Sequence, residues 1–217
     1  MLSAVVNPPF AGDYSAQELS TLPKDWLLQA SVAATRWHSP RCAPANRCLI
    51  WAMGQALIWC WPRGALAPPV VIGVDASEVM VDRARAGAAR EGLANVEVRQ
   101  GTIDALPVDD VSIDWIISNC VINLASNWDA ACREVHLILR PGGRMLVSHI
   151  VADDLPDWLT SNAEFYAACI SGALPEKDYL AAIARAGLTN GRIVDRLTYG
   201  EGEITLLIRN DLPAVLM

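Results

Sequence analysis

A chain of 217 residues is long enough for one α/β domain with a small annex and for a full hydrophobic core. Hydrophobic residues make up 53% and mean hydropathy is +0.25. The longest apolar run, Cys48 to Trp61, nevertheless contains Gln55 and is broken by Pro62 and Arg63, so it falls short of a membrane span. A net charge of −7 and a pI near 4.9 argue against a nucleic-acid partner, whose phosphates need clustered Lys and Arg, and favour a small-molecule substrate. No basic stretch followed by an apolar run and a small-residue cleavage site opens the chain, so secretion is not indicated and a cytoplasmic location is expected. The six cysteines are then read as reduced thiols, either metal-binding, catalytic or buried.

In chain order, "YSAQELSTLP" (Tyr14 to Pro23) has a helix start, with Ser15 as N-cap and Glu18 completing a capping box. From Val70 a regular alternation begins. "VVIGVD" reads as a strand ending at Asp75, and the helix after it has Ser77 as N-cap and Gly92 as stop. "NVEVRQG" and "SIDWIISN" read as strands, "WDAACREVHLIL" as an amphipathic helix closed by Pro141-Gly142-Gly143, and "RMLVSHIV" as a further strand. Such a series predicts a mostly parallel sheet with helices on both faces. Two helical segments follow, near Leu155 to Ala168 and Glu176 to Ala186. Two strand-like runs, Arg192 to Thr198 and Glu203 to Ile208, are suited to an antiparallel edge.

Ser31 to Pro69 breaks this texture. Its 39 residues hold no Asp, Glu or Lys, yet include four of the eight Trp and three of the six Cys. An open α/β sheet needs its first strand and a glycine-rich turn here, and this pattern fits neither a strand nor an amphipathic helix. The segment is therefore expected to pack poorly.

From Val70 onward the chain resembles the class I S-adenosylmethionine methyltransferases, through "GVDAS", "GTIDALP" and "LRPGGRMLVS". More narrowly it resembles the arsenite methyltransferases, through "SNCVINL" (Ser118 to Leu124), "CISGAL" (Cys169 to Leu174) and the N-terminal "YSAQELSTLP". The resemblance covers about two thirds of the chain. It implies a Rossmann-like core, S-adenosylmethionine as cofactor, and arsenite or its thiol conjugates as substrate with a thiol reductant. Residues 1–30 form an N-terminal lead, 31–152 the methyltransferase core (31–69 anomalous), and 153–217 a small α+β annex on the substrate side.

The resemblance also assigns roles. Asp75, at a strand end, accepts hydrogen bonds from the ribose hydroxyls, as acids do in dinucleotide folds. Met80 packs against ribose or adenine, or is a core methionine. Thr102 and Ile103 fall where the family places the adenine, and Asn119 ends a strand beside the methyl donor. Cys120 and Cys169 are the ligands of trivalent arsenic, which is soft and thiophilic. Pyramidal arsenic keeps a lone pair that can attack a sulfonium methyl, so positioning rather than base catalysis is the main task. Cys132, in "WDAACREV", is read as a packing residue.

The family carries "GCGNP", a Pro-Gly-Glu turn and a "VLDLGxGxG" loop where this chain has Ser31 to Pro69. Read in another frame, some codon junctions have forced products: Trp51-Ala52 and Met53-Gly54 both give Gly, and Trp59-Cys60, Cys60-Trp61 and Trp61-Pro62 give Val, Leu and Ala. The shifted reading is compatible with "DLGxGxGxDLVLA". The segment is accordingly read as translated out of frame, with shifts near Ser31 and Pro69; the alternative is a divergent natural insert. An out-of-frame segment costs the chain its glycine loop and the cysteine of "GCGNP", for which Cys42 or Cys48 is no designed replacement, and impairs cofactor binding. Two further readings stand beside the arsenite methyltransferase: a generic small-molecule methyltransferase whose cysteines merely pack, and a non-catalytic, frame-damaged remnant.

Overall fold

The computed structural model describes residues 47–51, 70–119, 121–152, 155–161, 166, 170–199 and 204–210. In chain order they form β1 (Arg47–Trp51), β2 (Val70–Asp75), α1 (Glu78–Arg90), β3 (Val96–Gln100), β4 (Ile113–Asn119), a 3-10 turn (Val121–Leu124), α2 (Trp128–Ile138), β5 (Leu139–Ala152), α3 (Asp157–Thr160), α4 (Glu176–Arg185), β6 (Arg192–Tyr199) and β7 (Ile204–Asn210). The sheet order is β3-β2-β1-β4-β5-β7-β6. The first five strands in that order are parallel, and β7 pairs antiparallel with both β5 and β6. The predicted parallel sheet and antiparallel edge are both present.

β1 corrects the expectation that no part of Ser31 to Pro69 suits a strand. Cys48, Leu49, Ile50 and Trp51 are each no more than 3% exposed, and β1 lies at the centre of the sheet between β2 and β4. A strand covered on both faces shows no alternation; it needs a short, continuous apolar run, and "CLIW" is one. Burying each such side chain contributes about 1.5–3 kcal/mol. The strand is also tied at its start, where the Arg47 amide donates to Asp114 Oδ2 at 2.7 Å and Arg140 Nη1 pairs with the same carboxylate at 3.1 Å. The rest of that segment, with the place of the glycine loop, lies outside the described residues, as do Tyr14 to Pro23.

Helices cover both faces. On one, Val81, Ala84 and Ala88 of α1 pack against Cys48, Ile50, Val71, Val98 and Ile117. On the other, Ala131, Cys132, Val135 and Ile138 of α2 join Tyr179, Ala182 and Ile183 of α4 over Leu49, Trp51, Ile72 and Ile116. The α2 spacing is the apolar stripe expected of a helix lying on a sheet. Its N-cap is Asn127, whose Oδ1 accepts from the Ala130 amide at 2.9 Å. α1 ends as its glycine predicts: Gly92 takes φ +65°, and the Leu93 amide returns to the Ala88 carbonyl. Pro141-Gly142-Gly143 is absorbed as a bulge within β5, where the pairing with β4 jumps from Leu139 to Arg144. Among the described residues, no helix is long and apolar enough to cross a membrane.

Candidate cofactor and thiol site

Strand order reverses between β1 and β4, and in open α/β sheets the crevice outside the carboxyl ends of the strands at such a point is where ligands bind. The register identifies the residues there. Val74, Trp51, Ser118 and Val147 form one row across β2, β1, β4 and β5. One step further are Asp75 paired with Gln100 and Asn119 paired with Ser148. Asp75 and Asn119 thus stand at the same level on the two strands flanking β1.

Asp75 is half-buried, and its Oδ1 accepts from the Ser77 amide at 2.9 Å. Ser77 is the N-cap of α1, as predicted, but makes no side-chain cap bond; the carboxylate two residues earlier turns the chain into the helix. This fixes the acid beside a helix N-terminus, where negative charge is favoured. Met80 is half-buried in the first turn of α1. Beside Asp75, the loop 101–107 leaves β3 with Thr102 exposed and Ile103 half-buried against the main core. A Cβ on Gly101 would come within 2.5 Å of Pro107 Cδ, so this close approach of the loop to itself requires glycine. Arg99 Nη1 donates to the Pro107 carbonyl at 2.6 Å while Nε and Nη2 fork onto Glu97 at 2.8 and 3.0 Å. That pairing raises the Arg99 pKa and lowers that of Glu97. A half-buried acid, a pinned loop and a helix N-terminus fit the adenosine half of S-adenosylmethionine.

Cys120 and Cys169 both lie outside the described residues, but the segments that follow or flank them are described, and they meet. Asn123 is buried, and its Nδ2 donates to the Ile150 carbonyl at 2.9 Å. Gly172 packs so closely on the Asn123 backbone carbonyl that a Cβ there would overlap it. Tyr166 Oη donates to the Leu124 carbonyl at 2.8 Å, and the Ala152 amide to the Leu174 carbonyl at 3.2 Å. The "SNCVINL" and "CISGAL" stretches are therefore in contact through Val121–Leu124 and Ile170–Leu174. Sequence reasoning missed Asn123, Gly172 and Tyr166 as the groups that join them, because local pattern carries no signal for contacts more than forty residues apart.

The two described cysteines sit in opposite cores, Cys48 on the α1 side and Cys132 on the α2 side. Burial pushes the Cys132 thiol up to about 12, so it stays protonated at neutral pH and is a poor ligand for a soft metal or metalloid. Among the described residues no group of three or more His, Cys, Asp or Glu is placed to hold a metal ion.

A doubly wound sheet with an acid at the end of its second strand and a ligand crevice at the β1/β4 reversal defines a nucleotide-cofactor enzyme of the Rossmann-like class. Residues 64–192 match the family described as Methyltransferase domain, and the chain belongs to that family of S-adenosylmethionine-dependent enzymes. It is 38% identical over 118 residues to an arsenite methyltransferase of Halobacterium salinarum, covering 54% of this chain and 30% of that protein. To an arsenite methyltransferase of Aquipseudomonas alcaligenes it is 39% identical over 133 residues, 58% of this chain and 38% of that one. These matches span well under half the length of the relatives. Among solved structures, CrArsM, an arsenic (III) S-adenosylmethionine methyltransferase from Chlamydomonas reinhardtii, superposes with TM-score 0.67 at 24% identity, covering 91% of this chain and 72% of that one. YcgJ of Bacillus subtilis gives TM-score 0.63 at 18% identity, covering 81% and 94%. At these identities the superpositions speak for the fold.

Proposed function

We propose that this chain is an S-adenosylmethionine-dependent methyltransferase for trivalent arsenic, held as a thiolate complex by Cys120 and Cys169. One observation carries the reading: the two cysteine-bearing stretches, some fifty residues apart in sequence, pack on each other through Gly172 and Asn123 and through Tyr166 and Leu124. They do so beside the end of β4, next to the cofactor crevice.

Asp75 and the loop bearing Thr102 and Ile103 hold the adenosine half, with Met80 against it and Asn119 at the methyl-donor end. S-adenosylmethionine, when bound, supplies an electrophilic sulfonium methyl. The protein's remaining task is placement. Each thiol that binds arsenite exchanges for one hydroxyl and releases one water, and two thiolates leave the arsenic pyramidal with its lone pair available. Soft-ligand selectivity comes from the thiolates, and rate comes from holding arsenic in line with the crevice. The reaction needs arsenite or a thiol conjugate of it, with a thiol reductant to keep Cys120 and Cys169 reduced. The curated relatives named arsenite methyltransferase support the substrate class.

Titration with arsenite, followed by tryptophan fluorescence, tests this. Cys120→Ser and Cys169→Ser should each weaken binding strongly, and Cys132→Ser should not. Equal binding by all three variants would leave a methyltransferase for some other small molecule.

A further inference from the structure

We propose that Glu134, on α2, is a positioning residue for the adenosine half of the cofactor, acting through the backbone of the loop at 102–107. The inference rests on the assignment of Thr102 and Ile103 to that half.

The loop is held from two sides. On the β3 side, the Gly101 amide donates to the Asp75 carbonyl at 3.0 Å, and Arg99, locked by its fork onto Glu97, donates to the Pro107 carbonyl. On the other side, Glu134 Oε2 accepts from the Leu106 amide at 3.2 Å. The Leu106 side chain is buried in the main core, so its amide needs a partner inside the fold, and the chain at this point is in no strand that would supply one. A carboxylate from α2 takes that role. α2 is itself fixed on the sheet by Ala131, Cys132, Val135 and Ile138, which makes Glu134 a rigid post. Thr102 and Ala105 bridge each other, so the stretch 102–106 is one short unit, and an anchor at Leu106 sets where Thr102 and Ile103 stand relative to Asp75. Removing the anchor leaves the Arg99 side intact and lets the outer half of the unit move.

The test uses the full chain, isotopically labelled for NMR, with 5′-methylthioadenosine as the probe, since it carries the adenosine and thioether without the amino-acid part. In the unmodified chain the probe should shift the amide resonances of 102–107. Glu134→Ala should speed hydrogen exchange at the Leu106 amide and raise the probe's Kd roughly tenfold, the worth of one hydrogen bond to a charged group. Glu134→Gln keeps an acceptor oxygen and should restore both. Glu134→Asp, a milder change that keeps the charge but withdraws the acceptor, should behave like Ala. Faster exchange at Leu106 with an unchanged Kd overturns the proposal, as does a Gln variant as defective as Ala. If the probe, at concentrations that shift amide resonances elsewhere in the chain, shifts nothing in 102–107, the adenosine assignment of this loop fails and the proposal with it, while the thiol reading of Cys120 and Cys169 is untouched.

Discussion

β1 and β2 are neighbouring parallel strands of similar length, both apolar and both buried in the middle of one sheet. They part at their carboxyl ends. β2 ends in Asp75, whose carboxylate turns the chain into α1; β1 ends in Trp51, which is 2% exposed and belongs to the core. Packing accepts any run of apolar residues of suitable size, because burial is non-directional. Ligand binding demands particular atoms at particular places, here glycines that let backbone approach the cofactor. On the out-of-frame reading, such a stretch satisfies the first requirement and fails the second, which would account for a buried central strand beside a sequence without the glycine signature.

The largest effect should come from replacing Ser31 to Pro69 with its shifted reading. S-adenosylmethionine affinity and methylation should both rise sharply, because the glycine loop and a third thiol return together. If calorimetry gives equal affinity for the two chains, the out-of-frame account is wrong. Next in size, Leu49→Ala in β1 and Ile72→Ala in β2 should each cost about 2–5 kcal/mol in denaturant unfolding, since both side chains are fully buried in the same core. A β1 variant with no cost would break the comparison at its root.

The strand ends should then separate. Asp75→Ala is expected to weaken 5′-methylthioadenosine binding roughly tenfold while costing about 1 kcal/mol of stability, the usual worth of such a capping carboxylate. Trp51→Phe should lower the melting temperature and leave the probe's affinity unchanged. A last effect is confined to alkaline solution. Burial raises the folded pKa of Cys132 from its ordinary value of 9.0 to about 12, so the folded state holds a proton that the unfolded chain releases. Its contribution is complete below about pH 9 and is lost as pH climbs toward 12, by at most about 1.4 kcal/mol per pH unit. Urea unfolding of Cys132→Ala across that range should show a shallower decline than the parent.

The sheet from β2 to β5 was legible in the sequence because strands and helices alternate there with clear signals such as Ser77 and Gly92, although Pro141-Gly142-Gly143, read as the stop of α2, lies inside β5 and the helix ends earlier, at Ile138. β1 was not, since a four-residue run buried on both faces carries no period and the glycine signature sought beside it is absent. Asp75 and the loop after β3 were legible from their place after apolar runs. The supports of the site were not. Glu134 reaches Leu106 over 28 residues, and Tyr166 reaches Leu124 over 42, and such contacts are decided by the fold rather than by local pattern.

The central claim is that two thiols from separate stretches share one arsenic atom. X-ray absorption at the arsenic edge of the arsenite-loaded chain addresses it most directly. The account predicts a sulfur-dominated shell that loses one As–S contact in Cys120→Ser and one in Cys169→Ser, and is unchanged in Cys132→Ser. An oxygen-only shell in the unmodified chain, or the same shell in all three variants, would contradict it.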